Sequence, residues 1–190
     1  MAEATSEVDI CNSALTLFGE DTIIALDQED STAAKVCSQH YYRQRNATLR
    51  AFPWNFAMKR ASLAKLSSGP AWGFANAFQL PSDCVRAWDV EHSVRTAWRV
   101  EGNTIVTDLD SVNLRYIAKI TDPNQFDELF VDALAARLSA TICIALTGKR
   151  TLATELWKLY RDKIEEAGEI DSQEGEPEEL DTDYDILTNR

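Results

Sequence analysis

Two cysteine–histidine groupings are the first candidates for chemistry in this sequence. Cys37 and His40 lie three residues apart on one face of a predicted helix, and Cys84 and His92 form a second possible pair. A thiol beside an imidazole can act as a nucleophile with its base. No third residue that would orient the imidazole is evident, so simple packing of Cys37 and His40 on a helix face is the favoured interpretation.

Other catalytic and binding motifs are absent from the sequence. Two histidines supply too few ligands for zinc, and neither a P-loop nor a GxGxxG segment supports nucleotide binding. The acids Asp21 and Asp27 are interpreted as solvated surface. Trp54, Trp72 and Trp88 have few basic neighbours to hold phosphate, so core packing or subunit contacts are favoured over base stacking. We therefore expect no enzymatic activity, no metal and no cofactor.

Charge is unevenly distributed along the chain. The 190 residues carry a net charge of −12, and residues 171–190 alone hold eight acids and one base. This balance argues against adhesion to a nucleic acid backbone, which rewards Lys and Arg. Because residues 1–7 are polar and acidic, we expect no signal peptide there, and the charged residues within the apolar stretch 126–146 argue against a membrane span.

The four cysteines are widely spaced and form no CxxC pair. Without a secretion signal, reduced thiols are expected. Cys11, Cys37 and Cys143 fall on apolar faces of predicted elements, so we expect these three to be buried.

The elements that position these residues are organised around a corner at Pro53, Trp54 and Phe56. Proline ends the preceding helix because it lacks the N–H that the helix ladder needs. Alternation of Trp54, Phe56 and Met58 with polar or small residues predicts that the chain leaves the corner in an extended conformation. Everything before the corner is predicted helical, whereas much of the chain from Trp54 to Ile120 is predicted to be strand and loop.

Apolar periodicity and end signals predict four helices. Ser6 with Asp9 is expected to cap the first, Ser31 to begin the second, and Asp122-Pro123 to begin the third. The predicted spans are Glu7–Phe18, Ser31–Arg50, Pro123–Leu146 and Leu152–Ala167. The third has so wide an apolar face that it is expected to be the central helix of a bundle.

Between the second and third helices the pattern changes to strands. Phe56–Leu66 is predicted to be a strand, with a helical alternative for its second half, and Gly102-Asn103 suits a tight hairpin turn. Alternation from Val112 to Ile120 gives the clearest strand, and the close succession of strands predicts antiparallel pairing.

The sequence therefore predicts an α+β fold: an antiparallel bundle of about four helices with an inserted antiparallel β-rich lobe and an acidic C-terminal tail. The predicted boundaries are 1–52 for the N-terminal helices, 53–121 for the β-rich insertion, 122–170 for the C-terminal helices and 171–190 for the flexible tail.

Several segments resemble the tail tubular protein A family, the head–tail adaptors of short-tailed bacteriophages. The resemblance covers about residues 8–165, and its specific parts are Pro53-Trp54-Asn55-Phe56-Ala57 and Leu80-Pro81-Ser82-Asp83-Cys84. The remaining matching segments are Ile10–Leu15 with Phe18-Gly19, Tyr42–Leu49, Arg60–Ala64, Tyr116-Ile117 and Phe126–Leu146.

This resemblance implies a structural virion protein of the phage tail, assembled in the host cytoplasm. It implies a ring, commonly twelve-fold, between the portal protein and the tail nozzle, tail tubular protein B. Genomic DNA would pass through the lumen without sequence-specific binding. A ring needs a heterologous interface that closes by rotation.

Two other functions and one further site are considered. An acidic DNA mimic or regulatory binding protein would carry its acids on a folded face, and a Cys-dependent enzyme would use Cys37 and His40. At the far end of the acidic tail, Tyr184, Ile186 and Leu187 form a small apolar cluster that suits docking to the portal. A plain solvating tail is the alternative for that segment.

Overall fold

The structure, a computed structural model, describes residues 5–27, 30–91 and 96–174, with side chains up to residue 170. The described part is an α+β fold with four helices and two antiparallel sheets of three strands each, which confirms the predicted class. The helices are α1 (Glu7–Thr16), α2 (Thr32–Ala51), α3 (Glu128–Thr147) and α4 (Arg150–Glu174). The strands are β1 (Met58–Ser62), β2 (Asn76–Gln79), β3 (Cys84–Val90), β4 (Trp98–Glu101), β5 (Thr104–Thr107) and β6 (Asn113–Ala118).

Helix α3 is the central helix, as its wide apolar face predicts. It packs against α1, α2 and α4, and its fully buried side chains include Phe130, Leu134, Leu138 and Ile142. The same buried cluster continues into the strands through Leu114 and neighbouring residues, so helices and sheets share one core. By length and composition α3 is also the one described helix apolar enough to cross a membrane, with 56% of its window buried inside the fold.

Several of the predicted helix ends are confirmed. Ser6 and Asp9 form a reciprocal capping box at the start of α1, and Ser31 caps α2 through the backbone N–H of Ala34. Gly148 ends α3 in the left-handed region, with φ of 70°, where a side chain would be strained. These ends depend on local hydrogen bonds, which explains why the sequence predicts them well.

The strands form two sheets rather than one. The larger sheet has the order β1-β6-β3 and the smaller sheet the order β2-β5-β4, with every pairing antiparallel. The hairpin between β4 and β5 turns at Gly102, with φ of 62°, as predicted. Strand β1 ends at Ser62, so the predicted strand to Leu66 is too long, and no helix replaces it.

Two predicted conformations are wrong, and aromatic packing explains both. The chain does not leave the corner extended, because Asn55–Ala57 forms a 3-10 turn that lets Trp54 and Phe56 both contact Phe130. The third helix does not run on from Pro123 either. Pro123–Gln125 is a separate 3-10 turn, after which the extended Phe126 packs its ring on Phe130.

The last helix is longer than predicted at both ends. Gly168 does not stop α4, and its lack of a side chain instead permits close packing, since a Cβ there would lie 3.3 Å from Phe52 Cε2. The backbone of residues 171–174 continues the helix, so the predicted start of the tail at residue 171 is four residues too early. Residues 175–190 lie outside the described residues.

Candidate functional site

The candidate enzyme pair is not assembled. The Cys37 thiol is buried beside that of Cys11, while His40 is only half-buried. The neighbouring Cys37 thiol, together with burial, raises the pKa of Cys11 far above its ordinary value. Helices α1 and α2 therefore bury the two thiols together, out of reach of solvent. This arrangement agrees with the interpretation of Cys37 as a packing residue.

The other cysteines offer no nucleophile with a base in the described structure. Cys143 is buried, as predicted, and Cys84 is half-buried, with its pKa raised by burial. His92, the second candidate partner, lies outside the described residues. Among the described residues no group of three or more His, Cys, Asp or Glu side chains could hold a metal ion.

The corner is a buried aromatic cluster. Trp54 is 3% exposed and donates a hydrogen bond from Nε1 to the backbone oxygen of Thr48 at 2.9 Å. Its ring meets Phe130 edge-on at a centroid distance of 5.1 Å, and Phe56 lies at the same distance from Phe130 on another side. Pro53 is half-buried at the exit of α2. This arrangement fastens the end of α2 to the central helix, and no polar group of the cluster is left for chemistry.

Asp83, in the second specific segment of the resemblance, joins three parts of the larger sheet. Its carboxylate accepts hydrogen bonds from Lys59 Nζ at 3.0 Å and from the Tyr116 hydroxyl at 3.1 Å. Partial burial opposes ionisation of Asp83, but these two donors outweigh it and lower the pKa of its carboxyl. Burial and the bond to Asp83 raise the pKa of Tyr116 to about 12. Asp83 is therefore a structural tie between β1, β6 and the start of β3.

The polar network around Arg137 ties three helices together. Its guanidinium donates to Gln44 Oε1 on α2 at 2.9 Å and to the Tyr160 hydroxyl on α4 at 2.8 Å. It also lies over the rings of Trp157 and Tyr160, at 5.5 and 4.9 Å from their centroids. Such a network fixes the relative rotation of the helices, which suits a rigid scaffold.

A polar groove of about 420 Å³ opens on one face of the larger sheet. Strand register places Arg60 directly opposite Arg115, and Arg115 directly opposite Asp89. The guanidinium of Arg115 pairs with Asp89 at 3.6 Å, whereas Arg60 is exposed and forms no ion pair with any described residue. The residues lining this polar groove are Arg60, Ala61, Ser62, Asp89, Glu91, Asn113, Leu114 and Arg115.

The rest of the groove wall is a hydrogen-bonded chain across the sheet. Ser62 donates from Oγ to Asn113 Oδ1, and Asn113 donates from Nδ2 to Glu91 Oε2 at 2.6 Å. Among the described residues that line the groove, two arginines and two acids balance in charge. Sequence analysis missed it, because facing residues on separate strands are known only once the register is known.

A second surface feature is the loop of residues 67–75, named here the Trp72 loop. Trp72 is 87% exposed, whereas Phe78, further along the chain on β2, is 1% exposed. Gly69 and Gly73 flank Trp72 within the loop, and a tryptophan between glycines in a turn-rich segment is the sequence signal that could have marked it.

The base of the Trp72 loop is tied on both sides. Leu66 donates its N–H to the Ala77 oxygen at 2.8 Å, and Ala75 donates its N–H to Asp108 Oδ1 at 2.9 Å. A Cβ at Gly69 would lie 2.5 Å from the Ala75 oxygen, so the two arms of the loop touch. The loop therefore holds an exposed indole on a closed base.

The cluster proposed for portal docking, Tyr184, Ile186 and Leu187, lies outside the described residues. In comparisons with known proteins, no family model matches the chain and no curated protein matches it. The described surface thus presents a charge-balanced groove, an exposed tryptophan and an exposed isoleucine, Ile24 at 91%, in the linker between α1 and α2. Features of these kinds suit contacts with other macromolecules more than catalysis.

Proposed function

We propose that this chain is a structural virion protein, a head–tail adaptor of a short-tailed bacteriophage that forms a ring between the portal and the tail nozzle. The proposal rests on one observation: two large apolar side chains are almost fully exposed to solvent, although the rest of the fold is well packed. Ile24 is 91% and Trp72 is 87% exposed. Tryptophan is enriched at the centres of protein–protein interfaces, so an indole that is exposed on the free chain supports burial on assembly.

The residues that carry the family resemblance support the proposal by their placement. The side chain of Asn12 makes two hydrogen bonds with the backbone of Ile23. Its Oδ1 accepts from the Ile23 N–H at 2.8 Å, and its Nδ2 donates to the Ile23 oxygen at 3.0 Å, so the linker after α1 is fixed. Trp54 fixes the corner and Asp83 fixes the larger sheet. The matching segments thus occupy the joints of the scaffold, as expected if the resemblance reflects a common architecture.

The competing functions have less support. The thiol of Cys37 is buried against Cys11, which disfavours a Cys-dependent enzyme. A DNA mimic needs an array of acids on a folded face, but eight of the chain's acids fall in residues 171–190. The resemblance implies that the ring contains twelve copies and that DNA passes through its lumen.

Assembly on a purified portal tests the proposal. The net charge of −12 is expected to keep free subunits apart, so light scattering of the protein alone is expected to give monomers or small species. Mixing with portal is expected to give a closed ring by electron microscopy. A stable two-fold dimer that forms without portal, or absence of any ring on the portal, would contradict the proposal.

The tail has a separate role within this proposal. Tyr184, Ile186 and Leu187 act as an anchor at the end of an acidic tether, and a ring of such anchors would grip the portal many times at once. Because α4 extends to Glu174, deletion of residues 175–190 leaves the helix intact. The truncated protein is expected to remain a folded monomer whose portal binding collapses, and tight portal binding by the truncated protein would exclude the anchor.

A further inference from the structure

The Trp72 loop and the polar groove are complementary in size and chemistry. The groove volume, about 420 Å³, lies within the range of about 300–1,000 Å³ that encloses small organic groups such as an indole. The loop, residues 67–75, has no charged residue, so its entry leaves the balance of the groove undisturbed. A nucleic acid or an acidic segment would instead add negative charge beside Asp89 and Glu91.

We propose that Trp72 of one copy of this chain inserts into the polar groove of the next copy. This inference rests on the proposed ring and identifies its subunit contact. Each copy carries one loop and one groove on different elements, so the contact is heterologous and can close a ring. Trp72 does not occupy the groove of its own chain, because its side chain is 87% exposed.

Arg60 supplies the attraction for the indole. Arg60 faces Arg115 directly across the strand pair, and like charges directly opposite repel. An indole face placed against Arg60 would gain a cation–π contact, the most favourable such contact being to tryptophan. The same chain already uses this contact twice, with Arg86 lying 4.9 Å from the Trp88 ring centroid and Arg137 lying 5.5 Å from that of Trp157.

The acids of the groove complete the recognition. An indole carries one N–H donor and needs an acceptor when it is buried. Asp89 and Glu91 line the groove and present carboxylate oxygens. The closed base of the loop fixes the backbone on both sides of Trp72 before binding, so less backbone ordering entropy is lost when the contact forms.

A photocrosslink identifies the occupant of the groove. The full chain with p-benzoylphenylalanine in place of Trp72 is assembled on the portal and irradiated, and the crosslinked peptides are identified by mass spectrometry. The expected partner peptide contains β1 or β6 of another copy. A crosslink to the portal, to the nozzle or to a second Trp72 loop would overturn the inference, as would no crosslink in an assembled ring.

Two variants test the pairing by complementation. Trp72→Ala and Arg60→Glu are each expected to weaken ring formation at least about 30-fold, as loss of a central interface residue does. On the portal, an equimolar mixture is expected to bind as pairs of one copy of each, detected by native mass spectrometry of the portal complex, because an intact loop meets an intact groove once in each pair. Wild-type ring assembly by either variant, or absence of mixed pairs, would overturn the inference.

Matched controls separate the contact from folding and from the proposed function. Val100→Ala removes another exposed apolar side chain, and Arg99→Glu reverses another exposed arginine, both on β4 of the smaller sheet. Both are expected to leave the crosslink and the mixed pairing unchanged, and all variants are expected to keep the wild-type melting temperature. If wild-type protein forms rings but the crosslink lies elsewhere, only this inference fails. If it forms no ring, both fail.

Discussion

Trp54 and Trp72 are the same residue type on one chain, but they lie in opposite environments. Trp54 is 3% exposed, donates its indole N–H to Thr48 and touches three phenylalanine rings. Trp72 is 87% exposed on a loop with a tied base. The comparison shows that the identity of a residue does not give its role. The corner uses an aromatic ring to build the core, whereas the loop exposes one to solvent.

The largest expected effect comes from replacing the buried tryptophan. Trp54→Ala is expected to lower the free energy of unfolding by about 3–5 kcal/mol, because it leaves a cavity beside Phe130 and removes the bond to Thr48. Thermal or urea unfolding measures the change. Trp72→Ala is the matched control and is expected to change stability by no more than about 0.5 kcal/mol. Equal effects of the two substitutions would contradict the comparison.

The corner also shows what the sequence predicts and what it does not. Pro53 ends α2 next to the predicted residue, because the proline ring acts locally on its own backbone. The alternation of Trp54, Phe56 and Met58 predicted a strand, but contact with Phe130 on a distant helix imposes a 3-10 turn instead. Phe126 interrupts the predicted third helix for the same reason. Local capping is visible in the sequence, whereas long-range aromatic packing is not.

The candidate surfaces were less predictable than the fold. The groove requires Arg60 to face Arg115, a pairing that follows from strand register and from no pattern within either strand. Gly168 appeared to be a helix stop, but its role is to let Phe52 approach α4, and that depends on tertiary packing. The sequence likewise does not show which aromatic rings face solvent.

A middle-sized effect is expected at the base of the Trp72 loop. Gly69→Ala is expected to destabilise the protein by about 1–3 kcal/mol, because its Cβ would lie 2.5 Å from the backbone oxygen of Ala75 and the arms of the loop must separate. Urea unfolding measures the loss. The substitution is also expected to weaken ring assembly, because Trp72 is no longer held in place.

A second glycine provides the control for that loop. Gly73 has φ of 92°, and a Cβ added there would meet open space. Gly73→Ala therefore tests backbone strain without a steric clash, and it is expected to cost about 1–2 kcal/mol. If Gly69→Ala caused no loss of stability, the arms of the loop would not be in contact. The base of the loop would then not fix the backbone around the exposed Trp72.

The smallest expected effect concerns Asp83, which is intermediate in exposure between the two tryptophans. Its side chain is 35% exposed, so solvent screens its pairing with Lys59. Asp83→Asn is expected to cost no more than about 1 kcal/mol at pH 7, the usual range for an exposed pair. Tyr116→Phe removes the other donor to the same carboxylate. Comparing the two variants separates the stabilisation due to the Tyr116 hydrogen bond from that due to Lys59.

The pH dependence gives this small effect a distinctive sign. Because the pKa of Asp83 is lowered in the fold, its stabilisation is complete above the ordinary aspartate value of 3.8 and is lost as the pH falls through the lower, folded pKa. The stability gap between wild type and Asp83→Asn is therefore expected to be constant from pH 7 to pH 5 and to narrow steadily below pH 4. Urea unfolding at each pH measures it. A gap as large at pH 3 as at pH 7 would show that the asparagine acts by disturbing packing, and the tie between β1 and β6 would then depend on shape rather than charge.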